Sequence, residues 1–315
     1  MSVVAVTGAG GYLGSRLVAD RGRGVRALVR SRVPYLGDDQ VEVDLLAGGP
    51  PLVDALAGVS AVVHLAGHNE VVAATDPDRA LTETLVASRR LAEAAAAAGV
   101  ARLVYVSTVH VYGTALTPGA VVDETTPAEP RSVYAVARLA SEHLLAASGV
   151  PTVVLRLTNA VGAPTDPAVN RWTLVATDLC RSAVRTGELV LRSSGMQWRD
   201  FVALDDVTRI IGGCVTLTGE ATSTDVADPV PAGTYNLGSG TVVTVRALAE
   251  IIQERFTAIT GKRPDLHAPA PDGPGDEPFR VAVDRLAGHG WAPQVPLADA
   301  VDELIHFCLK HEDVL

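Results

Sequence analysis

A glycine-rich turn near the start of the chain, directly after a short apolar run, most constrains how this sequence can fold. Residues 3–6 (VVAV) are all apolar, which is typical of a parallel strand buried on both faces. The run breaks into residues 8–14 (GAGGYLG), and apolar residues at helical spacing follow at Leu13, Leu17 and Val18. A strand, a glycine turn and a helix start in this order predict an α/β fold with a doubly wound parallel sheet.

The same turn predicts a binding site for the pyrophosphate group of a dinucleotide. Glycine permits a tight turn and lets the backbone approach the phosphates closely. The helix that follows presents free N–H groups and the positive end of its dipole at the same place. The residues that we expect to bind the cofactor here are Gly8, Gly11, Tyr12, Leu13 and Gly14.

The residue that ends the second predicted strand, Val25–Val29, bears on the choice between NAD and NADP. This residue faces the adenosine ribose in such folds, and an acidic side chain there would bind the 2′-hydroxyl group of NAD. The chain has Arg30 at this point, which suits the 2′-phosphate of NADP and equally suits a solvated surface position. The prediction is therefore NAD(P), leaning towards NADP.

Two further extended stretches are predicted to complete the cofactor site. Residues 41–45 contain a carboxylate that can accept a hydrogen bond from the adenine amino group, and residues 61–66 form a buried strand that ends beside the nicotinamide. His64, inside the second stretch, is predicted to be a packed, hydrogen-bonded histidine. The residues expected at the cofactor from these stretches are Asp44, Leu45, Ala66, Gly67 and Asn69.

Composition argues against several classes of function. A net charge of −10 disfavours a protein that binds nucleic acid by neutralising phosphates. No apolar run reaches the ~18 residues that a membrane helix needs, and Met1 leads directly into the first strand, so we expect neither a membrane span nor a signal peptide. The 3 cysteines are far apart and lack metal-ligand spacing, which indicates free thiols in the cytoplasm and no metal site.

A long helix is predicted over residues 78–98, ending at Gly99. Its run of alanines, 94–98, forms helix readily and has little bulk. Such a surface can pack closely against a second copy, so we expect a homodimer. A merely exposed alanine helix is the alternative interpretation.

Tyr134 and Arg138 are the first candidates for chemistry. They are four residues apart in a helical pattern and therefore share one helix face. A cation beside a phenol favours its ionised form and makes it a usable proton donor or acceptor near neutral pH, although an ordinary surface contact is the alternative. Thr108 follows the buried run 102–107, and a hydroxyl at the C-terminal end of a parallel strand lies where α/β sheets bind ligands.

Taken together, these motifs resemble the extended short-chain dehydrogenase/reductases. That family has a Rossmann sheet and a second, smaller α/β substrate domain, and it includes UDP-glucose 4-epimerase, dTDP-glucose dehydratase and the NDP-4-ketosugar reductases. The similar segments run nearly end to end and are TGAGGYLG (7–14), VDL (43–45), HLAG (64–67), VSTVHVYG (106–113), DETTPAEPRSVYAVARLASE (123–142), LRLTNAVGAP (155–164), RDFVALDDV (199–207) and YNLGSG (235–240).

The resemblance implies hydride transfer at a carbon of a nucleotide-activated sugar. Tyr134 would be the general acid/base, Thr108 would hydrogen-bond the same oxygen, and Arg138 would hold the nicotinamide ribose and bias the phenol. The substrate-binding residues that it implies are Thr108, His110, Tyr134, Asn159 and Arg199, the last two at the phosphates of the substrate.

The chain departs from the family pattern at two positions. The lysine of the family's YxxxK motif is Arg138 here, which keeps the positive charge on a larger, planar group. An arginine that helps to hold the pyrophosphate in the family is Gly273 here. The residues that could compensate for its loss are Arg171, Arg192 and Arg280.

The resemblance leaves the reaction open between two alternatives. We set dehydratase activity aside, because dehydratases carry Asp-Glu directly after the Thr108 position, where this chain has Val109 and His110. The remaining reactions are 4-epimerisation with tightly held NAD and one-way reduction of a 4-keto sugar with NADPH. A non-catalytic, dinucleotide-sensing regulatory protein of the same fold is the alternative from another class, supported by Arg138 and Gly273.

Two domains are expected. Residues 1–163 and 200–237 are assigned to the dinucleotide-binding domain, and residues 164–199 and 238–315 to the substrate domain. The helices and the irregular loop expected in the second domain lie at 174–186, 242–256, 297–309 and 262–278 respectively.

Overall fold

The computed structural model describes residues 3–215, 229–271, 273 and 275–315. Its elements are, in chain order, β1 (Val3–Thr7), α1 (Tyr12–Arg21), β2 (Val25–Val29), β3 (Gln40–Glu42), α2 (Pro50–Ala55), β4 (Val59–His64), α3 (Glu70–Thr75), α4 (Pro77–Ala97), β5 (Arg102–Thr108), β6 (Val121–Val122), α5 (Val133–Ala146), β7 (Thr152–Leu157) and β8 (Asn159–Val161). They continue with α6 (Val175–Thr186), β9 (Glu188–Val190), β10 (Trp198–Ala203), α7 (Leu204–Cys214), β11 (Gly233–Leu237), β12 (Val242–Thr244), α8 (Val245–Thr260), β13 (Asp265–His267), β14 (Arg280–Val281), α9 (Asp284–Ala287) and α10 (Leu297–Lys310). Met1 and part of the predicted stretch 200–237 lie outside the described residues.

A seven-stranded parallel sheet carries the glycine turn. Its strand order is β11-β7-β5-β4-β1-β2-β3, and every neighbouring pair is parallel. β1 lies inside the sheet between β4 and β2, so the turn that follows it opens among the carboxyl ends of other strands. This arrangement confirms the predicted parallel α/β sheet.

Helices cover both faces of this sheet because alternate strand residues point in opposite directions. Val4 and Val6 join a core that includes Leu17 of α1 and Ile210 of α7. Ala5, between them in sequence, joins the core on the other face, to which α2, α4 and α5 contribute. The sheet is therefore doubly wound, as predicted.

A separate apolar core lies among α6, α8 and α10. Leu179, Leu248 and Leu304, one from each helix, are buried in it. A three-stranded sheet, β12-β10-β8, and the β13–β9 pair accompany these helices in the fold. Most of these elements come from the stretches assigned to the substrate domain, while the domain boundaries themselves stay a prediction.

Some predicted element ends are wrong. The helix predicted at 242–256 begins three residues later, because residues 242–244 form β12 and the Thr244 hydroxyl caps α8 by accepting from the N–H of Ala247 at 3.0 Å. The stretch predicted at 41–45 is shorter, because pairing with β2 ends at Glu42.

The buried interior explains three other sequence features. His64 is fully buried and hydrogen-bonded, as predicted. Ala94 and Ala95 of the alanine run are buried in the subunit's own core, so this run is only partly a free surface, and the homodimer stays a prediction. The cysteines are free and buried, at Cys180, Cys214 and Cys308. No helix among the described residues has both the length and the apolar character to cross a membrane.

Candidate active site

The glycine turn between β1 and α1 has the shape that a pyrophosphate site requires. Gly8 has a φ angle of 65°, and a Cβ atom there would lie 2.8 Å from the backbone nitrogen of Ala66. At Gly14 a Cβ atom would lie 2.2 Å from the carbonyl oxygen of Gly8, so only glycine permits this packing. Helix α1 has no side-chain cap and no acidic residue in its first turn, which leaves its N–H groups free for an anion.

Two cavities open over this turn and share Gly8, Gly11 and Gly67. The first has a volume of about 410 Å³ and reaches the ends of β2 and β3. The second has a volume of about 570 Å³ and reaches the ends of β5 and β7. The carboxyl edge of a parallel sheet is where α/β folds bind their ligands.

The structure brings the predicted site residues to these cavities with one exception. The first cavity is lined by Gly8, Gly11, Arg30, Asp44, Leu45, Ala66 and Gly67. The second is lined by Gly8, Gly11, Tyr12, Leu13, Gly14, Gly67, Asn69, Thr108, His110, Tyr134, Arg138 and Asn159. Arg199 is the exception, since it lines neither of the two.

Tyr134 and Thr108 bring two hydroxyl groups to the second cavity. Tyr134 lies in the first turn of α5, whose start is fixed by the Ser132 hydroxyl accepting a backbone N–H at 3.2 Å. The guanidinium carbon of Arg138 lies 5.3 Å from the centroid of the Tyr134 ring, so the predicted helix face is formed. The Thr108 oxygen accepts the N–H of His110 at 3.2 Å, which leaves its own proton free to donate.

Arg138 is a buried cation, with 8% of its surface exposed. Its Nη2 donates to the carbonyl oxygen of His68 at 3.4 Å, and its Nη1 donates to the hydroxyl of Tyr105 at 3.5 Å. Its Nε is buried and has no hydrogen-bond partner among the described residues. A buried donor is costly without an acceptor, so this nitrogen fits an acceptor that a bound ligand supplies.

His110 lies at the mouth of the second cavity. Its ring lies edge-on to the ring of Tyr134, with 6.5 Å between the centroids. Although the ring is open to the cleft, desolvation by the surrounding protein and then the charge of Arg199 lower the pKa of His110, while Glu70 offsets part of this effect. The imidazole is therefore largely neutral at pH 7.

An ion pair crosses the second cavity between α3 and the loop before α6. Glu70 and Arg171 line this cavity, and Nη2 of Arg171 lies 2.9 Å from Oε2 of Glu70. Although burial raises the pKa of Glu70, its hydrogen bond to Arg171 lowers it overall, so the group is a carboxylate at neutral pH. Nη1 of Arg171 is buried without a hydrogen-bond partner in the described part of the chain.

Asn159 and Arg199 are positioned by the neighbouring strands β8 and β10. Nδ2 of Asn159 donates to the carbonyl oxygen of Asp200 at 2.8 Å. Nη1 of Arg199 donates to a backbone carbonyl at 2.7 Å, and burial lowers the pKa of this guanidinium. The Asp200 carboxylate accepts from the Thr158 hydroxyl at 3.0 Å and from the backbone N–H groups of residues 239–240, which fixes β10 beside β8.

A third cavity, of about 660 Å³, adjoins the second at Asn170, which lines both. Its wall comes from the second core and includes Trp172, Arg181 and Arg192. The guanidinium of Arg181 lies 5.5 Å from the Trp172 ring. The three cavities therefore form a cleft that runs from the parallel sheet to the second core.

The three arginines considered as replacements at position 273 lie in different places. Gly273 is exposed and has no neighbouring atom near its Cβ position. Arg171 lines the second cavity and Arg192 the third, whereas Arg280 lies at the surface, 3.6 Å from Asp284.

Sequence reasoning missed Tyr35, Glu70 and Tyr105. Tyr35 donates to the carbonyl oxygen of Gly10 at 2.7 Å and lines the second cavity, and nothing in its neighbourhood in sequence indicates this. Glu70 finds its partner 101 residues away, so no local pattern reveals the pair. Tyr105 has a signal, since it is the one aromatic residue in the otherwise aliphatic and polar strand β5.

Asn69 is the N-terminal cap of α3, a structural role that the sequence analysis did not predict. Its side-chain oxygen caps α3 by accepting from the N–H groups of Val71 and Val72. The contact with a cofactor that we predicted must therefore use its amide nitrogen. Among the described residues no cluster of His, Cys, Asp and Glu could hold a metal ion.

Comparison with known proteins agrees with this geometry. The model of the NAD dependent epimerase/dehydratase family matches residues 4–218. The chain is 34% identical over 325 residues to dTDP-6-deoxy-L-talose 4-dehydrogenase (NAD(P)(+)) of Kitasatospora kifunensis, covering 96% of this chain and 94% of the relative. It is 29% identical over 336 residues to UDP-glucose 4-epimerase of Mycolicibacterium smegmatis, covering 96% and 97%.

A solved structure extends the similarity to three dimensions. The UDP-glucose 4-epimerase of Thermus thermophilus, in complex with NAD, matches with a TM-score of 0.76 and 26% sequence identity. The match covers 97% of this chain and 98% of that protein, so it includes both the parallel sheet and the second core.

Proposed function

Because this chain belongs to the NAD-dependent epimerase/dehydratase family, we propose that it catalyses NAD(P)-dependent oxidoreduction at carbon 4 of a nucleotide-activated sugar. The observation that supports this most directly is the meeting of Tyr134, Thr108 and Arg138 at one cavity that opens over the glycine turn. Interconversion of a carbonyl and an alcohol needs a proton donor, a second hydrogen-bond donor on the same oxygen and a cation that biases the proton donor.

In this proposal the chain's own residues hold NAD(P) along the sheet edge. The free N–H groups at the start of α1 bind the pyrophosphate. Arg30 and Asp44 hold the adenosine in the first cavity. Gly67 and the unpartnered Nε of Arg138 face the nicotinamide end in the second.

The proposed chemistry divides the work between two hydroxyl groups. When bound, the reduced nicotinamide supplies the hydride that adds to the carbonyl carbon. Tyr134 donates its proton to the carbonyl oxygen, so that the product is an alcohol, and Thr108 donates a hydrogen bond to the same oxygen. Arg138 stabilises the phenolate that remains, and Tyr134 regains its proton from solvent.

The three cavities suggest how the substrate lies. The sugar occupies the second cavity beside Tyr134, and the nucleotide occupies the third, so the diphosphate lies at their boundary. Asn159, which lines the second cavity, binds the diphosphate there, and Arg171, with its unpartnered Nη1, takes the place of the arginine missing at position 273. Arg199 lines none of the three cavities, so its role at the phosphates stays a prediction.

This last assignment predicts a difference between two arginine variants. Arg171→Gln should raise the Kd for dTDP about tenfold, because a charge-assisted contact is lost. Arg280→Gln, at the surface, should leave the Kd unchanged. Calorimetric titration measures both, and equal values for the two variants would contradict the role of Arg171.

We favour a 4-dehydrogenase or 4-ketoreductase that acts on a dTDP-linked deoxyhexose. Its support is the 34% identity to a 4-dehydrogenase that uses NAD(P), together with Arg30 in the adenosine cavity. A 4-epimerase is the second candidate, supported by 29% identity to a UDP-glucose 4-epimerase over nearly the full length of both chains.

The stoichiometry of the cofactor separates the two candidates. The purified protein is incubated with NADPH and a panel of dTDP- and UDP-linked 4-keto sugars, and with the corresponding hexoses alone. A reductase consumes one NADPH for each keto sugar reduced. Interconversion of two hexoses without net change in the cofactor would instead select the epimerase.

A further inference from the structure

The contacts around Arg138 fit a guanidinium group, although the family motif has lysine at this position. Two acceptors lie on different sides of the group, the Tyr105 hydroxyl at Nη1 and the His68 carbonyl oxygen at Nη2. Both contacts are at the long end of the hydrogen-bonding range, so each is weak. Only the two together fix the plane of the forked guanidinium group.

The backbone at Gly67 makes room for the same fork. A Cβ atom at Gly67 would lie 3.2 Å from Nη1 and 3.3 Å from Nη2 of Arg138. The φ angle of 146° at this residue also disfavours any side chain there. The guanidinium therefore packs directly against backbone.

The position of Arg138 depends on neutral acceptors. In the described part of the chain no carboxylate is among the groups that act on its charge. The titratable side chains beside it are the phenols of Tyr105 and Tyr134 and the imidazole of His64. A buried cation without a carboxylate is held only by such neutral groups. Of the two phenols, Tyr134 lines the cavity and Tyr105 does not.

Tyr105 is itself rigidly held. It is fully buried, its ring stacks on His64 with 5.4 Å between the centroids, and its hydroxyl lies beside Ser141. The Ser141 hydroxyl lies 3.0 Å from that of Ser88, and Ser88 lies 3.1 Å from Nε2 of His64. Nδ1 of His64 lies 2.7 Å from the Thr7 hydroxyl, so a buried polar chain runs back to the strand that carries the glycine turn.

The members of this chain stay neutral near neutral pH. Burial raises the pKa of Tyr105, although Arg138 offsets part of the effect. Burial and then the charge of Arg138 lower the pKa of His64 to about 3. The Tyr105 hydroxyl is therefore a neutral hydrogen-bond acceptor for Arg138 at neutral pH.

We propose that Tyr105 is a positioning residue, which fixes the guanidinium of Arg138 against Tyr134 and the cofactor. The surroundings of position 138 therefore fit arginine specifically, through the contacts of its guanidinium group with Tyr105, His68 and Gly67. The proposal rests on the proposed function for its kinetic readout only, since the affinity for NADPH tests it independently.

The test is a double-mutant cycle between Tyr105→Phe and Arg138→Lys. The Phe variant keeps the ring that stacks on His64 and removes one hydroxyl. In the parent background it should raise the Kd for NADPH about fivefold and lower kcat about tenfold, with the KM for the sugar nucleotide unchanged. In the Arg138→Lys background it should change neither by more than about twofold, because an ammonium is a point donor that needs no second acceptor to fix its plane.

A matched control variant separates positioning of Arg138 from a general loosening of the buried core. Tyr235→Phe is the matched control, since it removes the hydroxyl of another buried tyrosine. That hydroxyl donates to the carbonyl oxygen of Pro231 at 3.0 Å, and Tyr235 lines none of the three cavities. It should change neither the Kd for NADPH nor kcat.

Three outcomes would overturn the proposal. They are an unchanged Kd for NADPH in Tyr105→Phe, the same losses in both backgrounds, and a loss matched by Tyr235→Phe. If Tyr105→Phe does not fold, Ser141→Ala, which removes a neighbour of the Tyr105 hydroxyl, should show a smaller effect of the same sign on the Kd, and no effect would equally overturn it. If the parent binds NADPH but turns over no sugar nucleotide, the proposed function fails while the Kd values still decide the role of Tyr105.

Discussion

Tyr134, the proposed proton donor, shares its cavity with Thr108 and Arg138. Thr108 adds a hydrogen bond at the same cavity, and Arg138 adds charge behind the ring. In the proposed reaction the proton that reaches the carbonyl oxygen comes from the phenol of Tyr134, so removal of each of these side chains should have a different effect.

Tyr134→Phe should lower kcat by several orders of magnitude while the Kd for NADPH stays nearly constant, because only the proton donor is lost. Thr108→Val should lower kcat by roughly 10- to 100-fold, because it removes one hydrogen bond and leaves the proton. Steady-state kinetics and fluorescence titration of NADPH measure both effects. A Tyr134→Phe variant as fast as the parent would show that the general acid/base is another group.

Arg30 is the residue that we propose to set a preference for NADP. It lines the first cavity and is exposed there, so a 2′-phosphate can reach it. Arg30→Asp should lower kcat/KM with NADPH by about tenfold or more and raise it with NADH, because the new carboxylate repels the phosphate and accepts from the ribose hydroxyl. If the ratio of kcat/KM for NADPH and NADH is unchanged in Arg30→Asp, Arg30 does not contact the cofactor and is a solvated surface residue, which is the alternative interpretation.

Sequence predicts which residues lie together well where their placement depends on a local pattern. Tyr134 and Arg138 are one helical turn apart, and Gly8 to Gly14 form one turn, so spacing alone places them together. The pair of Glu70 and Arg171 has no such spacing, and its geometry exists only after α3 and the loop before α6 meet in the fold.

At the scale of elements, His64 joins two layers of the fold. It belongs to β4, its Nδ1 faces Thr7 of β1, and its Nε2 faces Ser88 of α4. Burial and the charge of Arg138 lower its pKa from 6.5 to about 3, so the folded protein keeps a neutral imidazole far into the acidic range.

The stability of the fold should therefore depend on pH through His64. Between pH 6.5 and about 3 the unfolded chain binds a proton that the folded chain does not bind. The free energy of unfolding should fall as the pH falls through this range, by at most about 1.4 kcal/mol for each pH unit from this group.

Urea unfolding of the parent and His64→Gln at several pH values tests this. The difference between parent and variant should shrink as the pH falls, because the variant has no imidazole to protonate. His143→Gln, at an exposed position, should follow the parent. Parallel curves for the parent and His64→Gln would contradict the prediction.

The bounds of an element were predicted closely where its apolar residues fit either a strand or a helix but not both. They were predicted wrongly where the apolar residues fit both. β2 has the predicted bounds because its five residues are flanked by glycine and by a turn. The start of α8 was placed three residues early, because Val242 and Val243 fit an apolar helix face as well as a strand. These residues form a strand because they pair with β10, and a local reading of residues 242–256 cannot reveal a partner that lies elsewhere in the sequence.

At the scale of the whole molecule, the cleft joins two cores that the chain builds separately. The glycine turn and Thr108 lie at the carboxyl edge of the parallel sheet, and Tyr134 lies in the adjacent helix α5. Trp172 and Arg192 instead line the wall of the third cavity. A substrate with a sugar at one end and a nucleotide at the other matches this division. The sequence motifs predicted residues of the first two cavities. The third cavity, and the place where Arg171 meets Glu70, required the fold.

The transfer of deuterium from NADPH labelled at the transferable position of the nicotinamide ring tests the central claim most directly. The protein is incubated with this cofactor and dTDP- and UDP-linked 4-keto sugars, and the products are analysed by NMR. We expect deuterium at carbon 4 of the sugar with the parent protein and none above background with Tyr134→Phe, which should still bind the cofactor. Tight binding of the labelled NADPH by the parent with no deuterium in any sugar would contradict the proposed enzyme and favour a protein that senses the dinucleotide.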